Sequence, residues 1–554
     1  MSKTSIQQVT AASATELNRD AEDYSTTPEF IYGGPFIKVE KPSPFLNVAT
    51  PINLQLQGSF KKSFAYYSLK ERMPVILTKV IDYVSREGSK IKSASGGTDD
   101  ELHSFIQYVS KLKNDLVTNK KYDLLTVDTP EAKRWNQWIE SCDAQTYFMN
   151  TWVFTECYVY RRLREGCELT KGLANFDPFD EQKDQSFNNS IEPMCVVAEK
   201  LLTMLPESDK DKRKADFISL LKICLWSNKC DLSLSMGEQV TLKNEGVKTT
   251  PSRDVLDPFQ MILDLKDKIL VDDSAKIADL VVTRADSFAK AIEGPTEAPA
   301  PAEGEQPAEV PPCPAKFTIP QDVMFDIVCD NSGYELFTDL CLAHFLIAQK
   351  VVQKVRFHVK KIPWFVSDVT PRDFKYVIGS CANGNYKREI PPERKPEGEA
   401  PAEAEPTRVI SADSLRQLGQ QWEKFVQDGV FEVLSDDFWT SPHVYKDMKR
   451  YDPDLYRKLQ FATCVLFKGD LNYRKLLGEK NWNPMTGFEP ALQGFMPAPV
   501  AALRTVKADL ICGLPKGKAD QLNTIDEKWM EKGDYGVIQC VNDSIIVCNM
   551  GQRK

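Results

Sequence analysis

The 554-residue chain lacks most of the signatures by which an enzyme class is read directly. Its 14 cysteines form no CxxC pair, and the nearest two are Cys224 and Cys230. A zinc site of paired cysteines is therefore not expected. Cys329, Cys464 and Cys548 sit inside apolar runs and read as reduced core thiols. Only four histidines occur, His103, His344, His358 and His443, and none has HExxH spacing. That disfavours zinc hydrolases and Ser-His-Asp enzymes. No GxGxxG opens a βα unit and no GxSxG exists. The nearest approach to a P-loop, Gly513–Lys518 (GLPKGK), has the wrong spacing, and Ala519 stands where Ser or Thr is required. The net charge of -9 gives no sign of a general nucleic-acid binder, which would carry a basic stripe, and leaves room for a local basic pocket. The apolar stretch Cys341–Ala348 is interrupted by His344 and falls short of the ~20 residues a membrane span needs. Met1–Thr27 is polar, without the apolar core of a signal peptide. A cytoplasmic protein is expected, with the nucleus as an alternative and no membrane attachment.

Hydrophobic residues make up 42% of the chain, enough for a folded core. Residues 1–27 read as a disordered tail. From 28 to 255 the pattern is mainly helical. Ser68–Ser85 carries an apolar stripe of Leu69, Val75, Ile76, Val80 and Ile81, and Glu101–Val117 repeats Leu102, Phe105, Ile106, Val109 and Leu112. Ala132–Arg164 and Asp216–Trp226 continue in the same style. From 256 to 554 short apolar runs alternate with helices: Phe325–Cys329, Val355–Val359, Trp364–Val366, Ala462–Phe467, Leu503–Leu510, Gly536–Val541 and Ser544–Cys548. Such alternation predicts an α/β domain with a mostly parallel sheet. Two stretches rich in Pro, Ala and Glu, 293–314 and 391–407, cannot bury apolar surface and read as solvated insertions, with partner docking as a second reading.

Polar clusters follow several of the apolar runs. Asp330-Asn331 ends the first and precedes a helix; Asp368 ends another. Each reads either as a helix cap or as a ligand. Together they form an oxygen-only set suited to a hard divalent cation, not to a thiolate-loving one. Lys468–Lys475 (KGDLNYRK) places Lys468, Asp470, Asn472, Arg474 and Lys475 in eight residues; Leu503–Asp509 (LRTVKAD) places Arg504, Thr505 and Lys507. Both read either as solvated charge or as phosphate contacts, since Arg offers a planar fork and Lys a mobile point charge.

The stretches DNSGYE (330–335), WFVSD (364–368), FKGDLNYRK (467–475) and LRTVKAD (503–509) resemble those of the damage-control phosphatases. They are most similar to the sugar-phosphate branch with an Arg-Thr-x-Lys signature, also called acidic residue methyltransferase, a family first catalogued as a domain of unknown function. SNKCDLSLS (227–235) and SLKERMPVILTKVIDYV (68–84) match it too. The resemblance spans about Gly33 to Gln539 apart from the two insertions. It implies an N-terminal helical domain with a C-terminal Rossmann-like α/β domain, and a metal-dependent phosphatase acting on small phosphorylated metabolites, among them fructose 1-phosphate and fructose 6-phosphate, with Mn²⁺, Co²⁺ or Ni²⁺, and Mg²⁺ as a further candidate. Asp330, Asn331 and Asp368 would be the metal ligands, with Asp330 and Asp368 catalytic through the metal. Substrate would meet Asp330, Asn331, Lys468, Asp470, Leu471, Asn472, Tyr473, Arg474, Arg504 and Lys507, supported by Glu335 and Thr505. The rival reading, S-adenosylmethionine-dependent methylation of protein glutamates, finds no glycine-rich cofactor loop here.

Overall fold

The structure is a computed structural model that describes residues 44–227, 257–293, 322–390 and 408–542. The expected tail at 1–27, nearly all of both insertions, the strand expected at Ser544–Cys548 and SNKCDLSLS beyond Ser227 lie outside the described residues.

Seven strands form the central sheet: β1 (Ile269–Asp272), β2 (Met324–Val328), β3 (Lys354–His358), β6 (Phe431–Leu434), β7 (Ala462–Lys468), β8 (Val500–Thr505) and β9 (Gly536–Val541). Their order is β1-β9-β8-β7-β2-β3-β6. Every neighbouring pair is parallel except β8 with β9. This is the mostly parallel α/β sheet that the alternation of runs predicts. Two further strands, β4 (Lys387–Ile390) and β5 (Arg408–Ser411), form an antiparallel pair whose inner ends bracket the insertion at 391–407.

The central strands are apolar on both faces because helices cover both faces. On β7, Val465 and Phe467 join one core while Cys464 and Leu466 join the other. The first core takes up the helices between Phe64 and Glu168, including Leu69, Val80, Phe105 and Trp135. The second takes up Ile191–Met204 and Lys210–Ser227 together with Tyr334–Ala348 and Asp413–Gln427. The helices before residue 227 are thus divided between the two faces. Every described cysteine is a free thiol, and all but Cys142 are buried.

Several local expectations change. Trp364–Val366 is not a strand but a buried turn, with Phe365 and Val366 at φ of 46° and 70°. A β-branched residue rarely adopts that backbone. The strand expected at Leu503–Leu510 lies earlier, at Val500–Thr505. The helix from Phe64 to Arg86 contains a π-turn at Ser68–Arg72. Met73, Leu77 and Val84 are buried along it, whereas Val75 is exposed.

Candidate active site at the carboxyl edge of the sheet

β2 leads into the helix Tyr334–Ala348 and on to β3, against the second core. β7 leads into the helix Gly469–Leu476 and on to β8, against the first core. The connections leave these adjacent strands in opposite directions. The gap between the ends of β2 and β7 is therefore a topological switch point, where open α/β sheets place their ligand crevice.

Asp330 and Asn331 stand at this gap, two and three residues past the end of β2. The buried turn at Trp364–Val366 brings Asp368 back to them. Asn331 and Asp368 form an isolated antiparallel bridge. Val369 N–H donates to the Asp330 carbonyl at 2.8 Å and Ser332 N–H to the Ser367 carbonyl at 2.7 Å. Neither acid is a helix cap. Gly333 occupies the N-cap of the helix after Asn331, and Thr370 caps the helix Pro371–Ala382 in a capping box with Asp373.

The surrounding groups fix this trio. Asn331 Nδ2 donates to Asp330 Oδ2 at 3.1 Å and to Glu335 Oε2 at 2.8 Å. Ser367 Oγ donates to Asn331 Oδ1 at 2.5 Å. A carboxylate can only accept, so Glu335 sets which way the amide faces. Lys360 Nζ lies 3.3 Å from Asp368 Oδ2 and donates to the Cys329 carbonyl at 3.3 Å. Gly469, at φ of 83°, packs so closely on Asp330 that a Cβ there would lie 1.8 Å from Oδ2. Only glycine allows this backbone and this approach together. Burial pushes the Tyr445 hydroxyl well above its ordinary range, and the Asp368 and Asp330 charges add to it. Its O–H donates to Asn472 Oδ1 at 2.5 Å, and Asn472 Nδ2 donates to the Lys468 carbonyl at 2.7 Å.

The basic residues singled out from the motifs do not all face the crevice. Lys468 is fully buried beneath it, 2.9 Å from Glu335 Oε1 and 2.7 Å from Asp339 Oδ1. Burial lowers its affinity for the proton, but Asp339 and Glu335 outweigh this and hold the ammonium well above the usual range. Burial in turn pushes Asp339 up to about 6, against the pull of Lys468. Lys468 therefore contacts Glu335, which orients Asn331. Arg504 is fully buried, bonding Asp470 Oδ1 at 2.8 Å and the Leu510 and Ala508 carbonyls at 2.7 and 3.0 Å. Arg474 lies over the Trp152 ring and engages Glu156 and Glu479. Leu471 and Tyr473 point into the apolar core; the Tyr473 hydroxyl donates to Gln539 Oε1 at 2.7 Å. The helix Gly469–Leu476 brings Asp470 and the N–H groups of its first turn, which have no acceptor within the helix, to the end of β7. Thr505 ends β8, and Lys507 follows it with its methylenes against Gly533.

Motif clustering misses Lys360 and Tyr445. Lys360 stands two residues past the end of β3, so the carboxyl-edge rule that selects Asp330 selects it as well. Tyr445 reaches the site only through tertiary packing.

Among the described residues, no three His, Cys, Asp or Glu side chains gather as a metal cluster. The trio instead offers two carboxylates and an amide oxygen. That set suits a hard cation that keeps positions for water and phosphate oxygens, as Mg²⁺-type ions do.

These features define an open, doubly wound α/β protein with its ligand crevice at the carboxyl edge of the sheet. Residues 68–522 match the family described as the damage-control phosphatase ARMT1-like domain. The chain belongs to this family. It is 35% identical over 496 residues to damage-control phosphatase ARMT1 of Danio rerio, covering 87% of this chain and 96% of that protein. It is 34% identical over 497 residues to damage-control phosphatase ARMT1 of Homo sapiens, covering 87% and 97%. A crystal structure of a DUF89 family protein from Pyrococcus horikoshii matches with a TM-score of 0.35 and 13% identity, over 79% of this chain and 95% of that one. No helix among the described residues is long and apolar enough to cross a membrane.

Proposed function

We propose that this protein is a divalent-metal-dependent phosphatase acting on small sugar phosphates, with fructose 1-phosphate and fructose 6-phosphate as representative substrates. The bridge between Asn331 and Asp368 carries the reading. It gathers two carboxylates and an amide at the switch point of a chain whose family is named for phosphatase activity. Asp330, Asn331 and Asp368 would hold Mn²⁺, Co²⁺ or Ni²⁺, with Mg²⁺ as a further candidate. Such an ion, when bound, supplies positive charge to phosphate oxygens and acidifies a water.

The protein's own groups would do the rest. Lys507 and the N–H groups of the first turn after Gly469 would bind phosphate oxygens, and their fixed positions favour the charge of an in-line transition state. Asp470 would accept from a sugar hydroxyl while Arg504 holds its other side. Glu335, with Lys468 behind it, would keep the Asn331 oxygen turned toward the ion. Lys360 would hold Asp368 in place.

The test is a phosphate-release panel with purified protein and Mn²⁺, on hexose phosphates, nucleoside monophosphates and an aryl phosphate. Faster turnover of the hexose phosphates is expected. Equal rates on all esters would remove the sugar assignment, and methyl transfer from S-adenosylmethionine without phosphate release would replace the phosphatase reading.

A further inference from the structure

Arg72 belongs to none of the motifs at the crevice, yet it keeps an under-bonded, buried guanidinium beside the ion pair of Glu156 with Arg474. It closes the π-turn Ser68–Arg72, where Met73 N–H bonds back to the Ser68 carbonyl. A π-turn adds a residue to the ordinary helical period and is found disproportionately at functional sites. The Arg72 side chain is 3% exposed. Its Nε and Nη1 have no hydrogen-bond partner among the described residues. Its Nη2 lies 3.8 Å from Glu156 Oε1, too far for a good hydrogen bond.

Glu156 links Arg72 to the helix Gly469–Leu476, whose first residue packs against Asp330. Glu156 Oε2 accepts from Arg474 Nη1 at 2.8 Å. Arg474 lies within the field of Asp470, on the same helix. That helix begins at Gly469, against Asp330. Arg474 and Arg504 place all three guanidinium nitrogens on protein acceptors. Arg72 instead keeps a fork of N–H groups without acceptors in a place from which water is largely excluded. Buried donors of this kind are costly unless something accepts from them, and phosphate oxygens match the planar fork.

We propose that Arg72, supplied by the helical layer across from the sheet, binds the phosphate oxygens of the substrate. It is a substrate-binding residue additional to those at the carboxyl edge, and it makes the helical layer part of the active site. The inference rests on the crevice being the phosphate site but not on which ester is hydrolysed.

The experiment measures binding of inorganic phosphate to Mn²⁺-loaded wild type, Arg72→Ala and Arg72→Lys by calorimetry. Melting temperature, Mn²⁺ affinity and the KM and kcat for fructose 6-phosphate are recorded in parallel. Loss of charged hydrogen bonds should weaken phosphate binding and raise KM by about 10- to 100-fold in Arg72→Ala, while Mn²⁺ affinity stays within twofold. Arg72→Lys should recover part of the loss, since it restores charge but not the fork. A folded Arg72→Ala with unchanged phosphate affinity and KM overturns the proposal, as does a wild type that binds no phosphate. If wild type binds phosphate but hydrolyses no ester, the phosphatase reading fails, and Arg72 is judged on the phosphate affinity alone. Should Arg72→Ala not fold, Arg72→Lys decides: weakened phosphate binding with normal Mn²⁺ binding supports the role, and unchanged binding refutes it.

Discussion

Replacing Gly469 with alanine would place a methyl group where the Asp330 carboxylate now lies. The new Cβ would stand 1.8 Å from Oδ2 and 2.1 Å from Cγ, whereas ordinary contact begins at 3.4 Å. The carboxylate would have to retreat by about 1.6 Å, because the methyl group is fixed to a helix start buried on both sides. Misplacing a reacting group by about 1 Å costs on the order of 100-fold in rate. The φ of 83° adds a backbone penalty of about 1–2 kcal/mol for any residue with a Cβ. Gly429→Ala separates the two effects. Gly429 has a φ of 72° with no atom within 4 Å of its Cβ position, so it carries the backbone penalty alone. Phosphate release and Mn²⁺ calorimetry on both variants, with urea denaturation to measure stability, make the comparison. Gly469→Ala should lose at least about 100-fold in activity and bind Mn²⁺ more weakly. Gly429→Ala should lose stability only. If Gly469→Ala retains wild-type activity and metal affinity, Asp330 is not at the reaction centre.

Arg504→Ala removes a fully buried guanidinium and strands Asp470 and two carbonyls; urea denaturation should show a loss of about 3–5 kcal/mol, and a loss below 1 kcal/mol would contradict its structural role. Lys468→Met leaves Glu335 and Asp339 buried without their shared cation. Because burial already raises Asp339 to about 6, its pKa should rise further in the folded variant. A carboxyl raised above its unfolded value stabilises the fold at low pH and loses that contribution as pH rises. The defect should therefore grow between pH 5 and 8, and denaturation curves of equal deficit across that range would refute it. Burial lowers His344 to about 4, and its Nδ1 accepts from Trp422 Nε1 at 3.1 Å. The unfolded chain binds that proton first, so stability should fall by roughly 3 kcal/mol as pH drops from 6.5 to 4. His344→Gln should flatten this slope, and an unchanged slope would assign it elsewhere.

The sheet was legible where apolar runs were short and ended in polar clusters, as at FDIVC before Asp330 and ATCVLF before Lys468. Trp364–Val366 misled because an apolar run of that length reads alike as a strand or as a buried turn. Only the backbone reveals its positive φ angles, and it is this turn that carries Asp368 to Asn331. The motif arginines and Lys468 announced charge near the site but not its direction. Sequence cannot tell that Arg504 faces Asp470, or that Lys468 faces Glu335 and Asp339. Arg72 was hidden for a related reason. Its helix reads as an ordinary amphipathic stripe, and neither the π-turn nor the missing acceptors leave a mark in residue order.

The measurement closest to the central claim is phosphate release from fructose 6-phosphate by wild type, Asp330→Ala and Asp368→Ala, each in chelator and then in Mn²⁺. Wild type should be silent in chelator and active once Mn²⁺ is added, and both variants should stay silent in either condition while remaining folded. Equal release by wild type with and without metal, or by either variant and wild type, would contradict the account.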